Sequence, residues 1–282
     1  MARANERLAD GASRTKSQKM TTGALIFAFD NERIDYVALA AWSADNIRRH
    51  LNLPVCLITD REVDNDQFDH VIRIDRDRYI ADQRWFDDLD STVSWHNRSR
   101  ADSYDLSPWD QTLLLDADYV VASSQLQTVL AMPQQLVCHG SAWNIVQAQP
   151  CHSINTFGRV NMPMSWATVM MFRRSSYAQD IFDIMQMVRD NWNHYRDLYN
   201  FGRGPYRNDY ALSIAQHVVN GHQLNNKHIP WQLMSVMPQH DFQQIKTDHY
   251  RVEHQGRYVE ISNMDFHAMG KRQLGDIIAG TA

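Results

Sequence analysis

Asp116 and Asp118 stand one residue apart at the end of the apolar run Leu113-Leu114-Leu115, inside the stretch TLLLDADYVV over 112–121. Carboxylates placed there are costly to bury unless something offsets their charge. Carboxylate oxygens suit the hard cations Mg2+ and Mn2+, and a cation held between them could neutralise a diphosphate. The plainer alternative is a strand-end turn with both aspartates in water, and the three letters D-x-D alone favour it. Context argues the other way. A short, uninterrupted apolar run suits a strand buried on both faces of a parallel sheet. The carboxyl edge of an open α/β sheet is where ligands sit.

Positioning such a pair needs a sheet, and the flanking sequence predicts one. Ala24 to Phe29 (ALIFAF) reads as a buried strand, followed by the polar turn Asp30-Asn31-Glu32. Apolar residues at Ile34, Val37, Ala38, Ala41, Trp42 and Ile47 have helical spacing over 34–50. Val55 to Ile58 makes a second strand that ends at Thr59-Asp60. Strand, helix and strand of these lengths form a βαβ unit with parallel strands. No G-x-G-x-x-G lies between the first strand and its helix, which argues against dinucleotide binding in the Rossmann manner. His70 to Ile74 predicts a third strand, 124–132 a short helix, Leu136 to His139 a strand and WATVMMF over 166–172 another buried strand. Residues 175–199 predict one helix and NFGRGP over 200–205 a break. Asn208-Asp209 then caps a helix through Val219. Leu233 to Met237 and Tyr250 to Glu253 read as short strands, and Gln255-Gly256 as a hairpin turn. Gly140 to Ser165 shows no period and is expected to be a long functional loop.

The chain has 282 residues and 44% hydrophobic content, room for one large domain or two small ones. Its net charge of −5 does not mark a protein built to coat nucleic acid or an anionic membrane. Three cysteines without a CxxC pair read as thiols in a reducing compartment. With no apolar run of membrane-spanning length and no secretory signal, the expectation is cytoplasmic. Residues 1–22, polar and rich in Arg, Lys and Ser, are expected to be a flexible leader, with 23–282 a single α/β domain.

The order βαβ, apolar strand with D-x-D, long stretch, apolar strand, helix, RNDYALSIA and terminal DFHAMGK resembles the GT-A nucleotide-sugar glycosyltransferases. It is most similar to their glycogenin-like and lipopolysaccharide-galactosyltransferase-like group, over residues 23–272. The resemblance implies a Rossmann-like, mostly parallel central sheet flanked by helices. It implies a donor that is a nucleoside diphosphate sugar, UDP-linked above all. It also implies Mn2+ or Mg2+ held by Asp116, Asp118 and His267, with Gly270 and Lys271 on the diphosphate. The group's H-x-x-G-x-x-K-P-W ending is altered here, since lysine follows glycine directly and Pro-Trp is missing. Further donor contacts implied are Ala28, Asp30, Asn31, Tyr36, Thr59, Asp60, Arg100 (with Arg98 as its substitute) and Ala117. Tyr36 could stack on a base or cover the helix–sheet interface. Trp166 and Thr168 are implied to meet the acceptor. Asp209, with Asn208 beside it, would sit near the reacting carbon as a base or a polar support, or do no more than cap its helix.

Two other functions fit parts of the pattern. A nucleotidyltransferase that makes a sugar nucleotide also uses a sheet-edge aspartate and Mg2+, but carries a glycine-rich basic loop where this chain has Asp30-Asn31-Glu32-Arg33. A binding module that has lost turnover would have no need of D-x-D together with its histidine. The acceptor is open among glycan, protein, small molecule and a modified nucleobase, the last of which would have to be flipped out or single-stranded.

Overall fold

The computed structural model describes residues 20–280 except 64, 77–78, 80, 87–88, 152–155, 159–160, 202–203 and 224–226. The leader expected over 1–22 falls outside these for residues 1–19, and Thr22 already belongs to the first strand.

The elements in chain order are β1 (Thr22–Phe27), α1 (Tyr36–Leu51), β2 (Val55–Thr59), β3 (His70–Arg73), β4 (Asp82–Phe86), β5 (Ser91–Trp95) and α2 (Ser103–Leu106). Next come β6 (Gln111–Asp116), β7 (Tyr119–Val120), α3 (Leu126–Leu130), β8 (Leu136–His139), β9 (Ala142–Asn144), β10 (Gln149–Pro150), β11 (Thr156–Phe157) and β12 (Met162–Pro163). The chain continues with β13 (Trp166–Arg173), α4 (Ser176–Asp190), α5 (Trp192–Leu198) and α6 (Asn208–Val219). It closes with β14 (Leu233–Val236), β15 (Asp241–Lys246), β16 (His249–His254), β17 (Arg257–Ser262), β18 (Phe266–Ala268) and α7 (Lys271–Ile278).

The central sheet has the order β3-β2-β1-β6-β13-β8. β1 is parallel to β2 and to β6, and β2 is parallel to β3, so the expected βαβ unit is present. β13 runs antiparallel to β6 and to β8. The sheet is therefore mixed and mostly parallel. Leu113, Leu114 and Leu115 are fully buried because both faces are covered. One face packs on α1, α7 and the second sheet, the other on α4 and α6. Each such leucine contributes about 2 kcal/mol of burial. Gly23 lets the Trp109 ring lie directly on β1, where a Cβ would overlap it, and Trp109 Nε1 donates to Ala24 O at 3.3 Å.

The second sheet decides where the site forms. Its order is β10-β9-β14-β18-β7. The run TLLLDADYVV is not one strand: β6 ends at Asp116, and after a turn through Ala117-Asp118 the chain enters β7 in the other sheet. There β7 pairs antiparallel with β18, His267 opposite Tyr119. Two sequence-distant motifs meet at the junction of the two sheets.

Several expectations need correction. β1 ends two residues earlier than ALIFAF suggested, because Ala28 and Phe29 already turn toward the loop. The stretch 140–165 is not one aperiodic loop: its described residues hold β9 to β12, whose two- and three-residue strands are too short to show a period. The helix expected over 175–199 breaks at Asn191 into α4 and α5. Asn208 and Asp209 do not cap α6. The N-cap is Arg207, and no side chain makes a capping hydrogen bond there.

Candidate active site

At the carboxyl ends of β1 and β6 lies a cleft with a volume of about 110 Å³. It is walled by Phe27 and Asp116 from the strand ends, by the start of β13, by the first turns of α6 and α7, and by the β4–β5 hairpin. Of the residues singled out from sequence, it gathers Tyr36, Arg100, Asp116, Ala117, Asp118, Trp166, Thr168, Asn208, Asp209, His267 and Lys271. Ala28, Asp30, Asn31, Thr59, Asp60 and Gly270 are not among its lining residues.

Those six are used in other ways. Ala28 is buried and donates its N–H to Ile58 O at 2.9 Å. Asp30 accepts from Val37 N at 3.0 Å and pairs with Arg61 at 2.6 Å. Asn31 Oδ1 accepts from the N–H groups of Arg33 and Ile34, and Nδ2 donates to Ser94 O at 3.2 Å, which ties the β4–β5 hairpin to the end of β1. Thr59 is fully buried, Asp60 pairs with Arg76, and Gly270 is the N-cap of α7.

Asp118 Oδ2 faces His267 Nε2 at 3.3 Å and Lys271 Nζ at 2.6 Å. Burial opposes the charged form of Asp118, but Lys271 and His267 together outweigh it and hold the carboxyl well below the usual carboxylate range. Asp116 pairs with Arg100 at 2.9 Å. Burial deep in the cleft and repulsion from Asp118 raise the Asp116 carboxyl above its ordinary value, against the pull of Arg100. Its side chain nonetheless keeps 32% of its surface open to the cleft mouth. Ligand atoms of Asp116, Asp118 and His267 all lie within 4.8 Å of one another. Two carboxylates suit Mn2+ and Mg2+, and three ligand atoms this close together could hold one cation. The donor set fits the metal.

Arg100 does more than the resemblance implies. Only 3% of its side chain is exposed. Its guanidinium donates to Leu115 O at 3.2 Å, Ala167 O at 2.6 Å and Thr168 O at 3.3 Å, as well as pairing with Asp116. It pins the end of β6 to the start of β13 and orients the first aspartate. Arg98, its substitute in the sequence reading, pairs instead with Asp82 at 2.8 Å.

Asp209 lies in the first turn of α6, yet its carboxylate reaches out of the helix. Oδ1 accepts from Ala167 N at 2.9 Å, and Oδ2 pairs with Arg207 at 2.8 Å. Burial would raise this group, but Arg207, the Ala167 N–H and Arg84 keep it below its ordinary value and charged. Asn208 Nδ2 donates to Asn97 O at 3.1 Å and its Oδ1 accepts from Tyr206 at 3.0 Å. Trp166, Ala167 and Thr168 extend past the β6–β13 ladder, whose register closes at Val169–Leu115, so they reach the cleft.

Arg84, Trp95, His96, Asn97 and Arg207 line the cleft and were missed. A signal existed for the hairpin. RWF and TVSW are β-prone runs separated by an acidic, turn-rich stretch. β4 and β5 pair antiparallel, Trp85 opposite Thr92, and Arg84 lies 4.7 Å from the centre of the Trp95 ring. Lys271 had its own signal: cations at the start of a helix oppose its dipole, so Lys271 and Arg272 at the start of α7 call for another reason.

No protein-family model matches the chain, and no curated protein does. Solved structures do. The glycosyltransferase GlyE of Streptococcus pneumoniae TIGR4 is 11% identical, with 74% of this chain and 45% of that one covered and a TM-score of 0.43. The galactosyltransferase LgtC, solved with donor and acceptor sugar analogues, is 14% identical, with 67% and 69% covered and a TM-score of 0.45. The bifunctional glycosyltransferase WbbM is 13% identical, with 72% and 38% covered and a TM-score of 0.38. The match spans under half the length of GlyE and of WbbM. No helix among the described residues is long and apolar enough to cross a membrane.

Proposed function

We propose that this chain is a metal-dependent glycosyltransferase that takes a sugar from a nucleoside diphosphate donor, UDP-linked above all. The supporting observation is the convergence of Asp116, Asp118, His267 and Lys271 from the ends of β6, β18 and α7 into one cleft. Residues 23–282 would act as one working unit.

In this reading Asp116, Asp118 and His267 hold Mn2+ or Mg2+. The cation supplies Lewis-acid stabilisation of the negative charge that gathers on the departing diphosphate. Lys271 adds a fixed positive charge beside it. Arg100 keeps Asp116 oriented through their ion pair. Asp209, ionised and clamped by Ala167 N–H and Arg207, presents a negative charge to the cleft, suited to supporting positive charge on the sugar or accepting a proton from an acceptor hydroxyl. Trp166 and Thr168 lie on the β13 side, where the acceptor would enter.

The test is a screen of nucleotide-sugar hydrolysis with Mn2+, because transferases commonly leak to water. Release of UDP from one donor, lost with EDTA, is the expected result. No hydrolysis of any nucleotide sugar, together with no nucleotide binding, would overturn the proposal.

A further inference from the structure

Asn208 and Asp209 are consecutive and both border the cleft, yet their side chains do different things. Asn208 is only 4% exposed and uses both ends of its amide inside the protein. Nδ2 donates to Asn97 O at 3.1 Å, and Oδ1 accepts from the Tyr206 hydroxyl at 3.0 Å. An amide whose nitrogen and oxygen both have such partners is fixed in orientation and poorly placed to turn toward a substrate.

Those partners lead to the β4–β5 hairpin. Its two strands pair only with each other, so no longer sheet ladder sets its height over the cleft. Asn31 ties it to the end of β1 through Ser94 O. On the α6 side the tie is made by side chains. Asp82, at the start of β4, accepts from Arg98 Nε at 2.9 Å and Nη2 at 2.8 Å, a two-pronged ion pair that fixes direction as well as distance. The Arg98 guanidinium lies 5.3 Å from the centre of the fully buried Tyr206 ring, within reach of a cation–π contact. Tyr206 then passes its hydroxyl to Asn208, and Asn208 returns to Asn97, the neighbour of Arg98. The series Asp82, Arg98, Tyr206, Asn208 thus joins the base of the hairpin to the helix turn that carries Asp209.

We propose that Arg98, Tyr206 and Asn208 are positioning residues: they fix the hairpin wall of the cleft against the start of α6, so that a donor sugar held between them meets Asp209 in register. This rests on the glycosyltransferase reading, and it takes Asn208 out of the chemistry. A misplacement of about 1 Å can cost about 100-fold in rate.

The experiment measures hydrolysis of UDP-glucose, UDP-galactose and UDP-N-acetylglucosamine by the full chain with Mn2+, taking the most rapidly cleaved of the three. Tyr206→Phe removes one hydroxyl and keeps the ring. Asp82→Asn breaks the charge pair at the other end of the series and serves equally if Tyr206→Phe does not fold. Each is made in wild type and in Asp209→Asn. Either change should lower kcat about tenfold with KM and UDP affinity within about twofold, because only the placement of the reacting group is disturbed. In the Asp209→Asn background the same change should lower kcat no further, since residues that act through one another are not additive. An unchanged kcat, a raised KM with kcat intact, or a full additional loss in the Asp209→Asn background would each overturn the proposal while leaving the glycosyltransferase reading in place. A wild type that cleaves none of the three sugars and binds no UDP would bring down that reading, and the positioning series with it.

Discussion

Lys271 Nζ stands 2.6 Å from Asp118 Oδ2, so the lysine suited to the diphosphate and the proposed metal site draw on the same carboxylate. Removing the lysine should move the two affinities in opposite directions. Lys271→Met is expected to bind Mn2+ alone about tenfold more tightly, since a competing positive charge is gone, and to bind UDP with Mn2+ less tightly. Titration of the Mn2+ electron-spin signal with and without UDP measures both. Parallel changes would separate Lys271 from the metal site.

Arg100 offers a decision between two roles. As a donor contact it could be truncated with little effect on stability. As the buried link between Asp116 and the carbonyls of Leu115, Ala167 and Thr168, it could not. Arg100→Met should cost about 3–5 kcal/mol, because buried acceptors and a carboxylate lose their partner. Urea unfolding of variant and wild type checks this, and an unchanged midpoint would return Arg100 to the donor.

Asp209→Asn keeps an oxygen for the Ala167 N–H but removes the charge. Turnover in the hydrolysis assay should fall at least about tenfold, roughly 1.4 kcal/mol of barrier, with UDP affinity retained. Wild-type turnover in this variant would restrict Asp209 to joining α6 to β13.

His139 should make stability depend on pH. It is buried in β8, with Nδ1 at 3.0 Å from Trp231 O, and burial lowers its pKa to about 4. The folded value lies below the unfolded one near 6.5, so the unfolded chain takes up the proton first as pH falls. The contribution of His139 is complete above about pH 6.5 and is lost as pH drops toward 4, about 3 kcal/mol in all. The wild-type advantage over His139→Gln should therefore shrink across that window in urea titrations. A constant difference would mean that His139 keeps its ordinary proton affinity in the fold.

The sequence made the βαβ unit legible because its apolar runs are continuous and its helix has a clear period. D-x-D was legible as a strand end for the same reason. The role of Arg100 was not, because its partners are backbone carbonyls from β6 and β13, which no side-chain pattern encodes. Asp209 stayed open between a role at the reacting carbon and a helix cap because Asp favours helix starts, yet the carboxylate turns to a strand 42 residues away in sequence. The β4–β5 hairpin was hidden by charge: Arg84 faces a polar cleft, so its strand lacks the apolar alternation of a core strand.

The most direct measurement is the melting temperature of the full chain with saturating UDP, with Mn2+ or with EDTA, for wild type and Asp118→Asn. Asparagine retains an acceptor for His267 and Lys271, so the unliganded variant should stay folded. Wild type should gain stability from UDP only with Mn2+, about 2.7 kcal/mol at a ligand concentration of about 100 times Kd, and Asp118→Asn should lose that gain. An equal UDP shift with EDTA, or an equal shift in the variant, would contradict a metal-bridged nucleotide at Asp116, Asp118 and His267.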